Sequence, residues 1–165
     1  MYEIGACKLW WYDGPIRLFP VYQQEIDFRR VSTSRVWKAL TDYREFGQWF
    51  RVKLESPFAP GKVTRGPITH PGFEHVVFEA AVQKMEPERL FSFTWHPAPV
   101  ERGKDYAQET PTLVEFTLAP TPAGTLLTVV ESGFGSIPAD RRAEAFRMNE
   151  GGWEAQLKNI ERHVG

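Results

Sequence analysis

The sequence YQQEIDFRRVSTSRVWKAL, residues 22–40, decides the fold, because its structural period changes within a few positions. Over residues 22–29 the even-numbered side chains, which include Ile26 and Phe28, alternate with mostly charged neighbours, as in a half-buried strand. The hydroxyl residues at 32–34 can cap a helix, and Val36 and Leu40 then share one helical face. The stretch therefore predicts a strand that leads directly into a helix of about two turns.

The segments that follow predict a second short helix and then a series of strands. Asp42 and Gly47 bracket that helix, which carries Phe46, Trp49 and Phe50. Alternating apolar residues or strand-forming runs then predict four strands, at 76–82, 89–95, 113–118 and 125–131. The intervening segment 96–112 is rich in Pro, Gly and charge, so we expect it to form a loop over whatever the sheet encloses.

The C-terminal segment has the period of a long helix, predicted from Ala139 to Val164. Its apolar stripe follows spacings of three and four residues. The predicted stripe consists of Phe146, Glu150, Trp153, Leu157, Ile160 and Val164. Gly151 and Gly152 interrupt it at about 1 kcal/mol each relative to Ala, which predicts close backbone approach, a kink or a break into two helices.

The order of these elements defines an α+β plan, in which one helix stripe covers the concave face of a curved antiparallel sheet. Several ordered motifs also carry a family resemblance: IDFRRVS (26–32), VWKALTD (36–42), FGQWF (46–50), GTLLTV (124–129), SGF (132–134) and GGW (151–153). With these motifs the chain resembles the bacterial relatives of the activator of the ninety-kilodalton heat-shock protein ATPase, within the START-like, or SRPBCC, superfamily. The resemblance implies a helix-grip fold, like that of the birch-pollen allergen, with a cavity between the sheet and the C-terminal helix.

Composition limits the class of protein. The 165 residues suit one domain, which we expect at 22–165 after an N-terminal extension or small hairpin at 1–21. A net charge of −1 disfavours nucleic acid as a partner, and no apolar run is long enough for membrane insertion. The single cysteine, Cys7, excludes an internal disulfide framework, so we expect a cytoplasmic protein. We expect the protein to be either a monomer or a homodimer.

The candidate ligand-binding residues are the aromatic side chains expected to point inward, together with two acidic ones. They are Trp49, Phe78, Phe91, Phe93, Trp95, Phe116, Phe146 and Trp153, with Glu131 and Glu150. The rings could line a cavity of about 300 to 1,000 Å³, or they could interdigitate as an ordinary core.

The two carboxylates are the more specific prediction. Glu150 falls on the predicted apolar stripe, where an unpaired charge would be costly, and Glu131 shares strand parity with Leu127 and Val129. Two acids beside one cavity could orient a polar ligand group or act as acid and base. The alternative is that Glu150 turns outward and pairs with Arg147 or Lys158.

No sequence pattern predicts a metal or a cofactor, and we expect His70, His75 and His96 to lie at the surface. The first functional hypothesis is binding of a small hydrophobic or amphipathic molecule. A cyclase or hydrolase acting on an aromatic or polyketide-like substrate is the alternative. The family resemblance also allows a role as a modulator of a chaperone ATPase or another partner protein, but the eukaryotic activator carries a separate chaperone-binding domain for which this chain has no room.

Overall fold

The computed structural model describes residues 21–165, and its elements follow the predicted order. Strand β1 (Tyr22–Arg29) precedes helices α1 (Thr33–Thr41) and α2 (Tyr43–Phe50). Five strands follow: β2 (Val63–Pro67), β3 (Val77–Glu86), β4 (Leu90–Trp95), β5 (Thr112–Thr121) and β6 (Gly124–Ser132). A short 3-10 turn (Phe134–Ser136) then leads to helix α3 (Arg142–Val164). The hairpin predicted at the N-terminus lies almost wholly outside the described residues.

The six strands form one antiparallel sheet in the order β1-β6-β5-β4-β3-β2. The register between β3 and β4 shifts between Val82 and Lys84, an irregularity of the kind that increases the local bend of a sheet. Helix α3 packs on the sheet, where the Trp153 ring centroid lies 5.6 Å from that of Phe116 on β5. This arrangement confirms the predicted helix-grip α+β fold.

Polar caps explain why α1 and α2 begin where they do. The Ser32 hydroxyl accepts a hydrogen bond from the Arg35 backbone N–H at 3.2 Å, and Asp42 caps α2 in the same way. Gly47 lies inside α2 rather than at its end, contrary to the prediction. A Cβ atom there would lie 2.5 Å from the Val52 carbonyl oxygen, so close backbone approach requires the glycine.

Helix α3 differs from its prediction in start and in phase. It begins at Arg142 and spans 23 residues, about 35 Å. The buried side chains in its first half are Ala145 and Asn149, so the buried stripe is shifted by one residue from its predicted position there. Phe146 is half-buried and still packs against the core, and Glu150 is half-exposed. The helix also continues through both glycines, so the break, one of the three alternatives at these positions, does not occur. No other part of the described chain approaches either glycine closely, which rules out the alternative of close backbone approach as well.

Charged side chains join the two short helices to the end of α3. Glu45 on α2 accepts from Arg35 at 2.7 Å and lies 2.9 Å from Nε2 of His163, while Lys38 Nζ is 3.4 Å away. Burial works to raise the pKa of Glu45, but hydrogen bonds from His163 and Arg35 outweigh it and lower the pKa to about 2. The folded state therefore favours the Glu45 carboxylate.

This cluster predicts a loss of stability in acid. The pKa of Glu45 falls from 4.5 in the unfolded chain to about 2 in the folded protein. The contribution of Glu45 to the free energy of unfolding is therefore complete above the unfolded-state pKa, and it is lost as the pH falls through the folded-state pKa. We expect urea unfolding at about pH 5 and about pH 3 to show a smaller decline for Glu45→Gln than for the wild type. Equal declines would mean that other carboxylates account for the acid sensitivity.

The two helical glycines give a second prediction. Apart from the adjacent residues and the backbone of the helix itself, no described atom lies within 4 Å of a Cβ built at Gly151 or Gly152, and both positions are exposed. Replacing either by Ala should therefore raise the free energy of unfolding by about 1 kcal/mol, because Ala loses less backbone entropy in a helix. The matched control is Gly47→Ala, which should destabilise the protein because its Cβ would meet the Val52 carbonyl. Urea titration would measure all three variants.

Candidate functional site

A cavity of about 580 Å³ opens beside the packed core, at the end of the sheet where β3 begins and β4 ends. Its apolar wall includes Phe50, Phe78 and Trp95, and residues 98–107 of the long loop, except Val100, form another part of the lining, which we call the loop wall. The loop therefore borders a cavity, as its composition predicted. The described lining includes no residue of α3, whereas the family resemblance implies a cavity between the sheet and that helix.

The aromatic wall is built by rings that pack edge to face. The Phe78 centroid lies 5.2 Å from that of Phe50 and 5.7 Å from that of Trp95. Each ring comes from a different element, namely α2, β3 and β4, so the wall depends on the fold as a whole. Such pairs add to the stability gained from burial, and they hold the rings in fixed positions.

Two imidazoles line the cavity, which corrects the prediction that His75 and His96 are surface residues. Both side chains are half-buried, and among the described residues their Nδ1 atoms have no hydrogen-bond partner. Nε2 of His75 lies 3.0 Å from the Val100 carbonyl oxygen and must donate to it. Strand parity failed here because both histidines lie just outside their strands. His70, by contrast, is exposed as predicted.

An ion pair fixes the loop wall to the start of α3. Nε of Arg141 donates to both carboxylate oxygens of Glu109, at 2.9 and 3.0 Å, and Lys104 Nζ lies 3.6 Å from the same carboxylate. The guanidinium and the ammonium also lie 4.8 and 4.9 Å from the Tyr106 ring centroid. Hydrogen bonding from Arg141 outweighs burial and lowers the pKa of Glu109, so this carboxylate stays ionised at neutral pH.

Behind Trp95 lies Glu131, whose side chain is 0% exposed. Its Oε1 accepts from the Trp95 indole at 2.7 Å and from the Thr112 hydroxyl at 2.6 Å. Its Oε2 accepts from the Trp153 indole at 2.7 Å, while Asn149 donates to both oxygens at 3.0 and 2.9 Å. We call Glu131 and these four donors the carboxylate network. It joins β4, β5, β6 and α3 at one point.

The electrostatics of the carboxylate network are unusual, because all four partners donate and none of them is a cation. Among residues 21–165, no Lys, Arg or His forms a salt bridge with Glu131. Burial raises the pKa of Glu131, against the opposing effect of hydrogen bonds led by Thr112 and Trp153. Its contribution to stability is therefore greatest at low pH and declines as the pH rises through the folded-state pKa.

The other predicted site residues lie apart from the cavity. Phe91, Phe93 and Phe116 are almost completely buried in the packed core, and Trp49 is 4% exposed with its indole bonded to the Ala39 carbonyl at 2.8 Å. Phe146 packs on Phe134, with ring centroids 5.0 Å apart.

Glu150 is half-exposed, outside both the cavity lining and the carboxylate network. Within the described chain it forms no salt bridge with Arg147 or Lys158. It does lie near Tyr22, whose pKa is raised by burial first and then by Glu154 and Glu150. The two acids were predicted to share one cavity, and the structure does not bring them together there.

Sequence reasoning missed several residues of the site. Phe50, His75 and His96 line the cavity, and Thr112 and Asn149 bind Glu131. Asn149 had a usable signal, because it lies four residues before Trp153 and would share its helix face. Tyr106 was not missed, because its place in the long loop made it a candidate either to gate the cavity or to lie in solvent, and it lines the cavity.

Two features are absent from residues 21–165. No described helix is both long and apolar enough to cross a bilayer. In the same part of the chain, no three His, Cys, Asp or Glu side chains are grouped so that they could hold a metal ion.

A six-stranded antiparallel sheet packed on a long C-terminal helix, with a cavity at the sheet's end, defines a START-like helix-grip protein. Residues 30–165 match the family described as Activator of Hsp90 ATPase homolog 1-like protein, and the chain belongs to that family. No protein among the functionally curated sequences matches it.

Solved structures show the same fold. Protein MLL2253 from Mesorhizobium loti is 26% identical, with a TM-score of 0.69 over 87% of this chain and 96% of that one. Protein CV1439 from Chromobacterium violaceum is 19% identical, with a TM-score of 0.64 over 87% and 96% of the two chains. DynU16, a putative protein in the dynemicin biosynthetic locus, is 24% identical, with a TM-score of 0.67 over 87% of this chain and 46% of that one.

The carboxylate network predicts a large cost for truncating Glu131. In Glu131→Ala, four buried donors lose their acceptor, and each unpaired donor costs about 1–3 kcal/mol before relaxation. We expect urea titration to show a loss of at least about 3 kcal/mol in the free energy of unfolding. The matched control is Glu154→Ala on the exposed side of α3, which should stay within about 0.5 kcal/mol of the wild type.

Proposed function

We propose that the protein binds a small hydrophobic or amphipathic molecule in the cavity between the start of β3 and the long loop. The observation that carries this proposal is a cavity of about 580 Å³ with three aromatic rings on one wall. This volume is within the range of about 300–1,000 Å³ that is usual for small-molecule sites, which are mostly apolar with a few polar groups.

The lining also supports an amphipathic occupant. The apolar wall lies against the core, whereas the loop wall carries charged side chains such as Arg102 and Asp105. A molecule with an apolar body and one polar end would match this division. The fixed attachment of the loop through Arg141 and Glu109 supports a preformed cavity, which lowers the entropic cost of binding.

The alternative, a cyclase or hydrolase, gains support from one observation. His75 and His96 line the cavity, and imidazole is the side chain most often used for proton transfer near neutral pH. The acids predicted for that role, Glu131 and Glu150, do not line the cavity. A chaperone-related role rests on the family alone.

Binding can be tested with the neutral probe N-phenyl-1-naphthylamine, whose fluorescence rises in apolar surroundings. Ala107 lines the cavity from the exposed loop, so Ala107→Trp should occupy the cavity and weaken binding of the probe at least about tenfold. Ala123→Trp, in the exposed β5–β6 turn, is the matched control and should leave the affinity within about twofold. Equal affinities in all three proteins would place the bound probe elsewhere.

Native mass spectrometry of the protein purified from its own host would distinguish binding from catalysis. A discrete noncovalent adduct gives the mass of a bound molecule. If the released molecule changes mass on incubation with the protein, and His96→Gln prevents that change, the enzyme alternative is supported. A molecule recovered unchanged favours simple binding.

A further inference from the structure

Glu131 is the strongest unused feature of the molecule, because the hydrogen bonds of the carboxylate network satisfy its lone pairs, but no cation among residues 21–165 pairs with the charge of its ionised form. Isolated charges are costly in protein interiors, and a buried carboxylate is usually paired with a cation. Here the nearest partners are two indoles, a hydroxyl and an amide, all of them neutral. Burial therefore favours the protonated form of Glu131, and a positive charge bound nearby would shift the balance toward the carboxylate.

Trp95 connects this carboxylate to the cavity. Its indole N–H donates to Oε1 of Glu131 at 2.7 Å, and its ring forms part of the cavity wall. A group in van der Waals contact with that ring would therefore be separated from Glu131 by the Trp95 indole alone. Once Glu131 is ionised, this hydrogen bond also polarises the indole and makes its ring face more negative.

The same wall suits a cation in other ways. Phe50 and Phe78 stand beside Trp95, and aromatic rings around one space attract organic cations through their quadrupoles. The charged lining has a slight excess of acid, since Glu79, Glu101 and Asp105 oppose Arg102 and Lys104. Lys104 is in turn bound to Glu109, so it is partly neutralised.

We infer that the molecule bound in this cavity is an organic cation, in which a quaternary or protonated amine contacts the ring wall of Phe50, Phe78 and Trp95 with Glu131 behind it. The inference rests on the proposed function, because it assigns the chemical class of the ligand in the same cavity. Glu131 acts through Trp95 and is a positioning residue for charge rather than a contact of the ligand.

The test compares two probes of the same shape. Phenyltrimethylammonium and tert-butylbenzene differ in charge and hardly in volume, and each can be titrated against bound N-phenyl-1-naphthylamine. We expect the cation to bind about tenfold more tightly than the neutral probe. In ¹H–¹⁵N spectra the cation should shift the signal of the Trp95 indole N–H. That signal can be assigned because it is missing from the spectrum of Trp95→Phe.

Variants assign the charge effect to Glu131. Glu131→Gln removes the charge and keeps the size, so the preference for the cation should fall to about twofold or less. Glu154→Gln removes an exposed charge from the same helix that packs on the network, and the preference should not change. If Glu131→Gln does not fold, the preference measured in the wild type still decides the inference.

The two proposals fail in different ways. Equal or tighter binding of tert-butylbenzene, or a cation preference that survives Glu131→Gln, would overturn the organic-cation inference and leave the cavity as a hydrophobic site. If N-phenyl-1-naphthylamine binds Ala107→Trp as well as the wild type, the proposed function falls. If neither phenyltrimethylammonium nor tert-butylbenzene displaces N-phenyl-1-naphthylamine, the organic-cation inference falls. The proposed function is then judged separately, by the affinity of Ala107→Trp for N-phenyl-1-naphthylamine.

Discussion

The structure depends on one buried carboxylate that four neutral donors hold in place. Glu131 receives hydrogen bonds from β4, β5 and α3 while lying on β6, so it fixes the position of the C-terminal helix on the sheet. Apolar packing alone tolerates small shifts, whereas hydrogen bonds require defined distances and angles. The carboxylate network therefore selects one orientation of α3, in addition to contributing stability.

The same interaction explains why the core and the cavity adjoin each other. Trp95 and Trp153 turn their indole nitrogens toward Glu131, with ring centroids 5.6 Å apart. Trp153 stays within the core, while Trp95 lies at its margin and presents its ring to the cavity. One residue thereby belongs to the interior network and to the cavity wall, and this links the fold to the proposed function.

Sequence patterns predicted the elements of this fold but only part of the site. Strand parity correctly placed Glu131 inside, because a period of two leaves little ambiguity. The predicted apolar stripe of α3 included Glu150, whereas the buried residue is Asn149. Neighbouring residues point about 100° apart around a helix, and Phe146 offered a plausible apolar position from which to continue the stripe to Glu150. Part of the cavity wall was predicted, because Phe78, Trp95 and the long loop do line the cavity. His75 and His96 were not, because they lie outside regular elements, where no period relates position to orientation.

The position of the cavity beside the core has a consequence for how this protein can diverge. Residues 98–107 form one wall without belonging to the sheet or to α3, and several of their side chains are exposed. Substitutions at exposed loop positions usually change stability little. Substitutions that reshape the cavity can therefore accumulate in this wall while the carboxylate network keeps the scaffold constant, so chains of very similar fold can come to differ in this cavity.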